Sequence, residues 1–559
     1  MSKKMKLNEV TLVTSVKEML ELAVKEAGDR IAFQYKDENK KDKIVKVTYK
    51  EFKNDTEELG TALANIGMHN KHIAMIGENS YKWLTVYITV LKSTGVFVPI
   101  DKELTAPEII NVLKHSDTEV LFYSEKYEKY IEQIKEEVPN IKFFIGINKK
   151  EDDENSLSYD KFKENGKKLL EQGSKIYADL QDDENNLKLL VYTSGTTGNA
   201  KGVMLTEHNL MSVVYYGLQV ADIKTKCLSV LPYHHTYESV AGILVALHKR
   251  ATICINDSLK NVLKNLNTFK PDYIYVVPAF TEKFYKSIWA NTEKSGKDKI
   301  LKIMIPVSNG LRKIGIDLRG VLFKSVHEAF GGNLREIVCG GAPIRPEIGK
   351  FFNDIGMTLL NGYGISECSP LVSVNREQFN DSSTVGVILP CCEVEIRNPN
   401  ADGDGEIWVK GDIVMMGYYK DPERTAKVLK DGWFNTEDYG RVNKKGQLII
   451  NGRKKNVIVL NNGKNIYPEE IENYVMRVPY IQEAIVKAVK NDQGQEISLC
   501  AEVFLNDEKV KELGIENVEE TLKKDISKVT RELPVWKRVT KTEIRKTEFN
   551  KTTTNKIKR

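Results

Sequence analysis

The chain has 559 residues, of which 41% are hydrophobic and 29% charged, and its 83 lysines and arginines stand against 78 acidic residues for a net charge of +5. Such a length exceeds one hydrophobic core and predicts several packed units, while the composition excludes disorder throughout and the slight charge excess excludes the dense positive field of a nucleic-acid binder. The longest apolar runs, such as 240–247, fall far short of the roughly 20 residues a membrane-crossing helix needs.

Seven cysteines, at 227, 254, 339, 368, 391, 392 and 500, are odd in number and contain no CxxC pair. That pattern suits reduced thiols in a cytoplasmic protein better than a disulfide framework or a zinc site. The basic start lacks the continuous apolar core of a secretion signal. No amphipathic anchor is evident, although the basic C-terminal tail is compatible with peripheral contact at the inner face of a membrane. Oligomeric state is not legible.

Along the chain, short β-rich runs alternate with helical patterns. Residues 71–77 lead into a helix from Tyr81 to Thr94, 187–192 read as a strand, and 272–277 form a strand that breaks at Pro278 into a helix through Trp289. The alternation predicts an α/β body of βαβ units with mainly parallel sheets. After Ala401 the texture changes: a turn at 402–405, half-exposed strands at 406–409 and 447–450, and another turn at 461–463. Beyond Arg453 come a helix from Pro468 to Arg477, strands at 484–489 and 498–504, a helix over 518–533 and a basic tail. Two domains are expected, 1–452 and a small α+β domain at 453–559.

The most informative segment is Tyr192-Thr-Ser-Gly-Thr-Thr-Gly-Asn-Ala-Lys-Gly-Val203. Its small residues let several N–H groups point into one concavity, the hydroxyls of Thr193, Ser194, Thr196 and Thr197 add donors, and Lys201 adds charge. Such a nest suits polyphosphate, but the Walker A spacing is absent. An ordinary glycine and threonine turn after a strand is the alternative from these residues alone.

The segment resembles the phosphate loop of the adenylate-forming superfamily, and further segments match in that family's order. These are Leu231-Pro-Tyr-His-His-Thr-Tyr-Glu238, Cys339-Gly-Gly-Ala-Pro343, Asn361-Gly-Tyr-Gly-Ile-Ser-Glu-Cys368, Gly432-Trp-Phe-Asn-Thr-Glu-Asp-Tyr-Gly440, Asn451-Gly-Arg-Lys-Lys-Asn-Val457 and Thr554-Asn-Lys-Ile-Lys-Arg559. The resemblance implies a large multi-sheet body of the acyl-CoA synthetase type, a small mobile cap, and two half-reactions. A carboxylate attacks the α-phosphorus of ATP to give an acyl-AMP and pyrophosphate, and a thiol then takes the acyl group.

By resemblance, Thr193, Ser194, Gly195, Thr196, Thr197, Gly198 and Lys201 hold the phosphates, and Thr196 and Glu367 bind Mg²⁺, a cation that prefers oxygen ligands. Tyr363 stacks on adenine beside Gly341 and Ala342, and Asn361 meets its polar edge, with Gly362, Gly364 and Ser366 in the same segment. Asp438 accepts from the ribose hydroxyls with Arg453 assisting. Lys455 stands at the family's hinge position. Rotation there exchanges Lys556, the catalytic lysine that bridges carboxylate and α-phosphate, for the loop 461–465. His235 lines the entrance to the acyl site.

Without the family, Lys556 is one of nine basic residues against two acidic ones from Val535 to Arg559, a pattern that is usually a solvated tail. Glu238 and the run 339–346 resemble bacterial long-chain acyl-CoA synthetases, so the expected substrates are a fatty acid, ATP and coenzyme A. An acyl-AMP ligase, or a ligase that loads an acyl carrier protein, is the alternative, and a non-catalytic nucleotide sensor a more remote one. Ser366 stands where the family usually has threonine, and Asn555 where it has glycine.

Overall fold

The structure, a computed structural model, describes residues 6–37, 43–193, 201–460, 465–491, 496–551, 557 and 559. Chain contacts divide it into two compact units. The first takes in residues 1–341, 346–393 and 409–434; the second takes in 342–345, 394–408 and 435–559. Gly452 and Arg453, the division expected from sequence, lie together inside the second unit.

Two large sheets build the first unit. In the eight-stranded sheet the strands Leu187–Thr193, Val96–Ile100, His72–Ile76, Val120–Tyr123, Phe143–Gly146 and Leu157–Ser158 run parallel, and Lys201–Thr206 and Gly417–Tyr418 add an antiparallel edge. In the nine-stranded sheet the parallel centre is Thr358–Tyr363, Glu336–Cys339, Tyr273–Val276, Lys226–Ser229 and Thr252–Ile255. The apolar, β-branched centres of these strands are buried on both faces, which is what helix-covered parallel sheets require. Strand and helix at 72–76 and 81–91, and at 273–276 and 278–294, follow the sequence pattern. Ser80 caps the first of these helices by accepting from Trp83 N, and Pro278 opens the second, where its missing N–H costs nothing.

The second unit is built on the strands Ile481–Lys490, Glu496–Leu505 and Val539–Arg545, the first pair antiparallel and the second parallel. The parallel return needs a crossover, supplied by the helix Val518–Thr530, which Asn517 caps by accepting from Glu520 N. Ile471, Val475, Leu522, Ile526, Leu499 and Val503 close its core.

Two expectations change. The strand Gly405–Gly411 is buried from Gly405 through Val409 and is not half-exposed. The Arg397 guanidinium lies 4.0 Å over the Trp408 ring and covers the face that alternation would leave to water. The helix Asp298–Lys313 exposes apolar side chains in a basic segment, an amphipathic element that the sequence reading did not single out. Among the described residues every cysteine is free, and five of the seven are buried.

Candidate functional site

In the first unit, the strands Leu187–Thr193 and Lys201–Thr206 pair so that Thr193 lies opposite Lys201. The hairpin thus delivers both ends of the glycine and threonine segment to one sheet end. Ser194, Gly195, Thr196, Thr197 and Gly198 themselves fall outside the described residues. Tyr192, one residue before Thr193, is tied down by its hydroxyl at 2.7 Å from His115 Nδ1.

Lys201 Nζ sits 5.2 Å from the centre of the Tyr418 ring, and the Tyr418 hydroxyl donates to Glu367 Oε1 at 2.9 Å. A buried tyrosine therefore carries the Lys201 ammonium on its face and the Glu367 carboxylate at its tip. Its strand pairs with the one that starts at Lys201, with Tyr418 opposite Val203, and Tyr418 N donates to Thr425 Oγ1 at 2.9 Å. Glu367 is fixed from its own backbone as well, since Met415 N donates to its carbonyl at 3.0 Å. Glu367 is half-buried, leaving its carboxylate partly open to solvent.

The segment 361–368 follows the strand Thr358–Tyr363. Asn361 is buried opposite Cys339, and its Nδ2 donates to Thr384 O at 3.1 Å. Asn361 Oδ1 is a buried acceptor that no described residue satisfies. Such an atom is costly unless a donor meets it. Tyr363 ends the strand opposite Ser373, half-buried, with Gly362 opposite Val374. Gly364 cannot be replaced without displacement: a Cβ there would stand 1.6 Å from Pro370 O. Gly341 is exposed at φ +82°, a left-handed turn that glycine adopts without strain, and partly buried Ala342 follows it.

The segment 231–238 is anchored by Asn79, whose Nδ2 donates to Leu231 O at 2.7 Å and whose Oδ1 accepts from Tyr233 N at 3.1 Å. Thr236 Oγ1 lies 3.4 Å from Ser366 Oγ, so the serine that replaces the usual threonine still pairs with a neighbouring hydroxyl. His235 is half-buried, and its carbonyl accepts from Glu238 N and Ser239 N, each at 3.0 Å. Burial holds the His234 imidazole below its ordinary pKa, against the opposing pull of Asp101, whose Oδ1 is 3.4 Å from Nε2. Glu238 lies in the π-helical stretch Tyr237–Leu244 and is fully buried. Burial pushes its carboxyl up to about 8 against hydrogen bonds from Ser229 and Leu231, which favours the neutral acid.

In the second unit, Asp438 and Arg453 face each other across the hairpin formed by Trp433–Val442 and Leu448–Arg453. Arg453 Nε lies 2.8 Å from Asp438 Oδ1; the carboxylate is 6% exposed and the guanidinium 43%. Thr436 fixes the turn into this pair, accepting from Asp438 N at 3.1 Å while donating to Ile407 O at 2.8 Å. Lys455 lies exposed in the 3-10 turn Lys454–Asn456, whose first residue pairs with Glu406 at 2.7 Å. Lys556 lies outside the described residues. Among the described residues on either side of it in sequence, Lys551 bridges to Ile557, Phe549 N donates to Glu483 Oε2 at 2.9 Å, and Arg559 pairs with Glu472.

Residues 20–419 match the model of the AMP-binding enzyme family. The chain belongs to the AMP-binding enzymes. It is 30% identical over 463 residues to the long-chain-fatty-acid–CoA ligase FadD15 of Mycobacterium bovis, an alignment that covers 79% of this chain and 75% of the relative. It is 26% identical over 592 residues to the chloroplastic long-chain-fatty-acid–[acyl-carrier-protein] ligase AEE15 of Arabidopsis thaliana, covering 91% and 78%. The fold is that of the anthranilate CoA ligase AuaEII solved with anthranoyl-AMP, at a TM-score of 0.77 and 18% identity over 98% of this chain and 96% of that one. The body is thus that of an AMP-forming acid–thiol ligase.

Tyr418, Thr236 and Asn79 are contributions that sequence reading missed in this enzyme. The only available signal for Tyr418 was a tyrosine pair after Gly417, which resembles any buried edge strand. A cavity of about 670 Å³ lined by Lys226, Lys270, Asp272 and Arg335 lies at the opposite, strand-start edge of the nine-stranded sheet and shares no residue with the site.

Proposed function

We propose that this AMP-binding enzyme activates a long-chain fatty acid with ATP and passes the acyl group to the thiol of coenzyme A. The observation that carries the ATP half is the Lys201, Tyr418 and Glu367 chain at the open end of the loop-bearing hairpin. Two anions, carboxylate and triphosphate, must meet for adenylation, so a cation and a metal-binding carboxylate held in fixed relation are what the step requires. Mg²⁺ on a nucleotide takes most of its ligands from phosphate and water, so the half-buried Glu367 carboxylate, with Thr196, fits as its protein donor set. When bound, such an ion would supply charge neutralisation at the phosphates.

Lys201 then holds phosphate oxygens, and Thr193 with the loop hydroxyls and N–H groups holds the remainder. Tyr363 stacks on adenine, and the unsatisfied Oδ1 of Asn361 accepts from the purine's exocyclic amino group. Asp438, oriented by Arg453, accepts from the ribose hydroxyls. Lys556 bridges the acid and the α-phosphate during adenylation. The cap, 453–559, turns at Lys455 to admit the phosphopantetheine thiol in the second step, and His235 lines the acyl entrance.

The acid class rests on the names of the curated relatives and on Glu238 in the segment 231–238. The plant relative named for an acyl carrier protein supports a second acceptor. Pyrophosphate release from purified enzyme, ATP and acids of increasing chain length, with coenzyme A or acyl carrier protein, tests both points. Turnover is expected with long acids and coenzyme A. A failure to release pyrophosphate with every acid tried would overturn the ligase reading, and acyl-AMP that persists until carrier protein is added would reassign the acceptor.

A further inference from the structure

The helix Asp298–Lys313 in the first unit lies between the helix Pro278–Lys294 and a short helical turn at Arg319–Leu322. Leu301 and Ser308 turn inward and are 5% and 0% exposed. Next to them on the helix, Ile300, Ile303 and Val307 recur at spacings of three and four and so share one stripe, and Ile314, the residue that caps the helix C-terminus, follows seven residues after Val307. That stripe faces water: the four are 53%, 66%, 53% and 71% exposed, and Val321 beyond the helix is 74% exposed. Isolated surface isoleucines need no explanation, but a contiguous apolar ridge marks an interaction surface.

Charge identifies what covers it. From Lys294 to Lys324 there are eight lysines and arginines against two acidic residues. Both acids are already paired, Asp298 with Lys302 at 3.3 Å and Asp317 with Arg319 at 2.6 Å. Lys299 and Lys313 stand exposed beside the ridge, two heptads apart and so on one side of the helix. A second copy of this chain would set this cationic segment against itself, which like-charge repulsion opposes. The undescribed segments of the chain are short and polar and offer no apolar occupant.

We infer that this ridge is an interfacial membrane element, with its isoleucines and valines entering the acyl boundary of an anionic bilayer and its lysines meeting lipid phosphates. It needs no nucleotide and no particular acid, so it stands apart from the proposed reaction.

The test is co-sedimentation of the whole enzyme with vesicles of phosphatidylcholine alone or mixed with phosphatidylglycerol, with light scattering to record its mass in solution. The wild type is expected to pellet with the mixed vesicles, more weakly as salt rises, and an Ile303→Glu/Val321→Glu variant to bind about tenfold more weakly or worse. A Lys299→Ser/Lys313→Ser variant is expected to bind more weakly with a shallower salt dependence while keeping its fold, and both variants are expected to keep wild-type turnover of a water-soluble acid. No binding to mixed vesicles, or equal binding by the glutamate variant, would overturn the inference. A wild-type dimer that the glutamate variant dissociates would overturn it in favour of self-association.

Discussion

Tyr418→Phe isolates the link between the loop's lysine and the candidate metal carboxylate. The substitution keeps the ring 5.2 Å from Lys201 Nζ and deletes only the hydroxyl that donates to Glu367 Oε1 at 2.9 Å. A hydrogen bond to a charged group contributes about 1.5–3 kcal/mol, and the partly exposed carboxylate places this one at the lower end. About 1.5 kcal/mol corresponds to roughly a tenfold loss. Because Glu367 is the proposed Mg²⁺ ligand, the loss should appear as a roughly tenfold higher Mg²⁺ requirement for pyrophosphate release and shrink when Mg²⁺ is saturating. The Michaelis constant for the acid should not move. Tyr418→Leu also removes the aromatic face, worth about 0.5–1 kcal/mol at such a site, and should weaken ATP several-fold as well. Stopped assays across a Mg²⁺ titration measure both. Identical Mg²⁺ curves for wild type and Tyr418→Phe would show that this hydroxyl does not position a metal ligand.

Further outcomes follow from the geometry. Lys556→Ala should abolish acyl-AMP formation yet largely spare thioester formation from supplied acyl-AMP; equal loss of both steps would contradict the exchange of cap orientations. Asp438→Ala should raise the ATP requirement by about tenfold or more, since it removes the proposed ribose acceptor and the carboxylate that pairs with Arg453, and isothermal titration with ATP measures the change. Gly364→Ala should cost about 3 kcal/mol or more and lower the melting temperature, because its Cβ would stand 1.6 Å from Pro370 O. Glu238 binds a proton in the folded state up to about 8, above its unfolded value of 4.5, so the stability it contributes is complete below 4.5 and is lost as pH rises toward and through 8. Glu238→Gln should therefore gain on the wild type by about 1.4 kcal/mol per pH unit across that window, and urea midpoints at a series of pH values should show the two diverging.

The sequence by itself determined the order of elements, the α/β class and the identity of the motif residues. Those features depend on local signals: β-branched runs, Pro278 at a helix start, and a glycine and threonine loop whose backbone freedom is written in its residue types. Asn361 and Asp438 could be named from motif position alone. What a motif cannot contain is a partner supplied from elsewhere in the chain. Tyr418 reaches Glu367 across 51 residues, Thr236 reaches Ser366 across 130, and Asn79 holds Tyr233 across 154. Such pairings arise only when segments distant in sequence become neighbours in the folded chain. The same holds for exposure: composition counts Ile303 and Val321 as core material and alternation reads Trp408 as half-exposed, and packing reverses both. Burial also raises the pKa of the Glu238 carboxyl, since a carboxyl's protonation follows the dielectric around it and not its place in the chain.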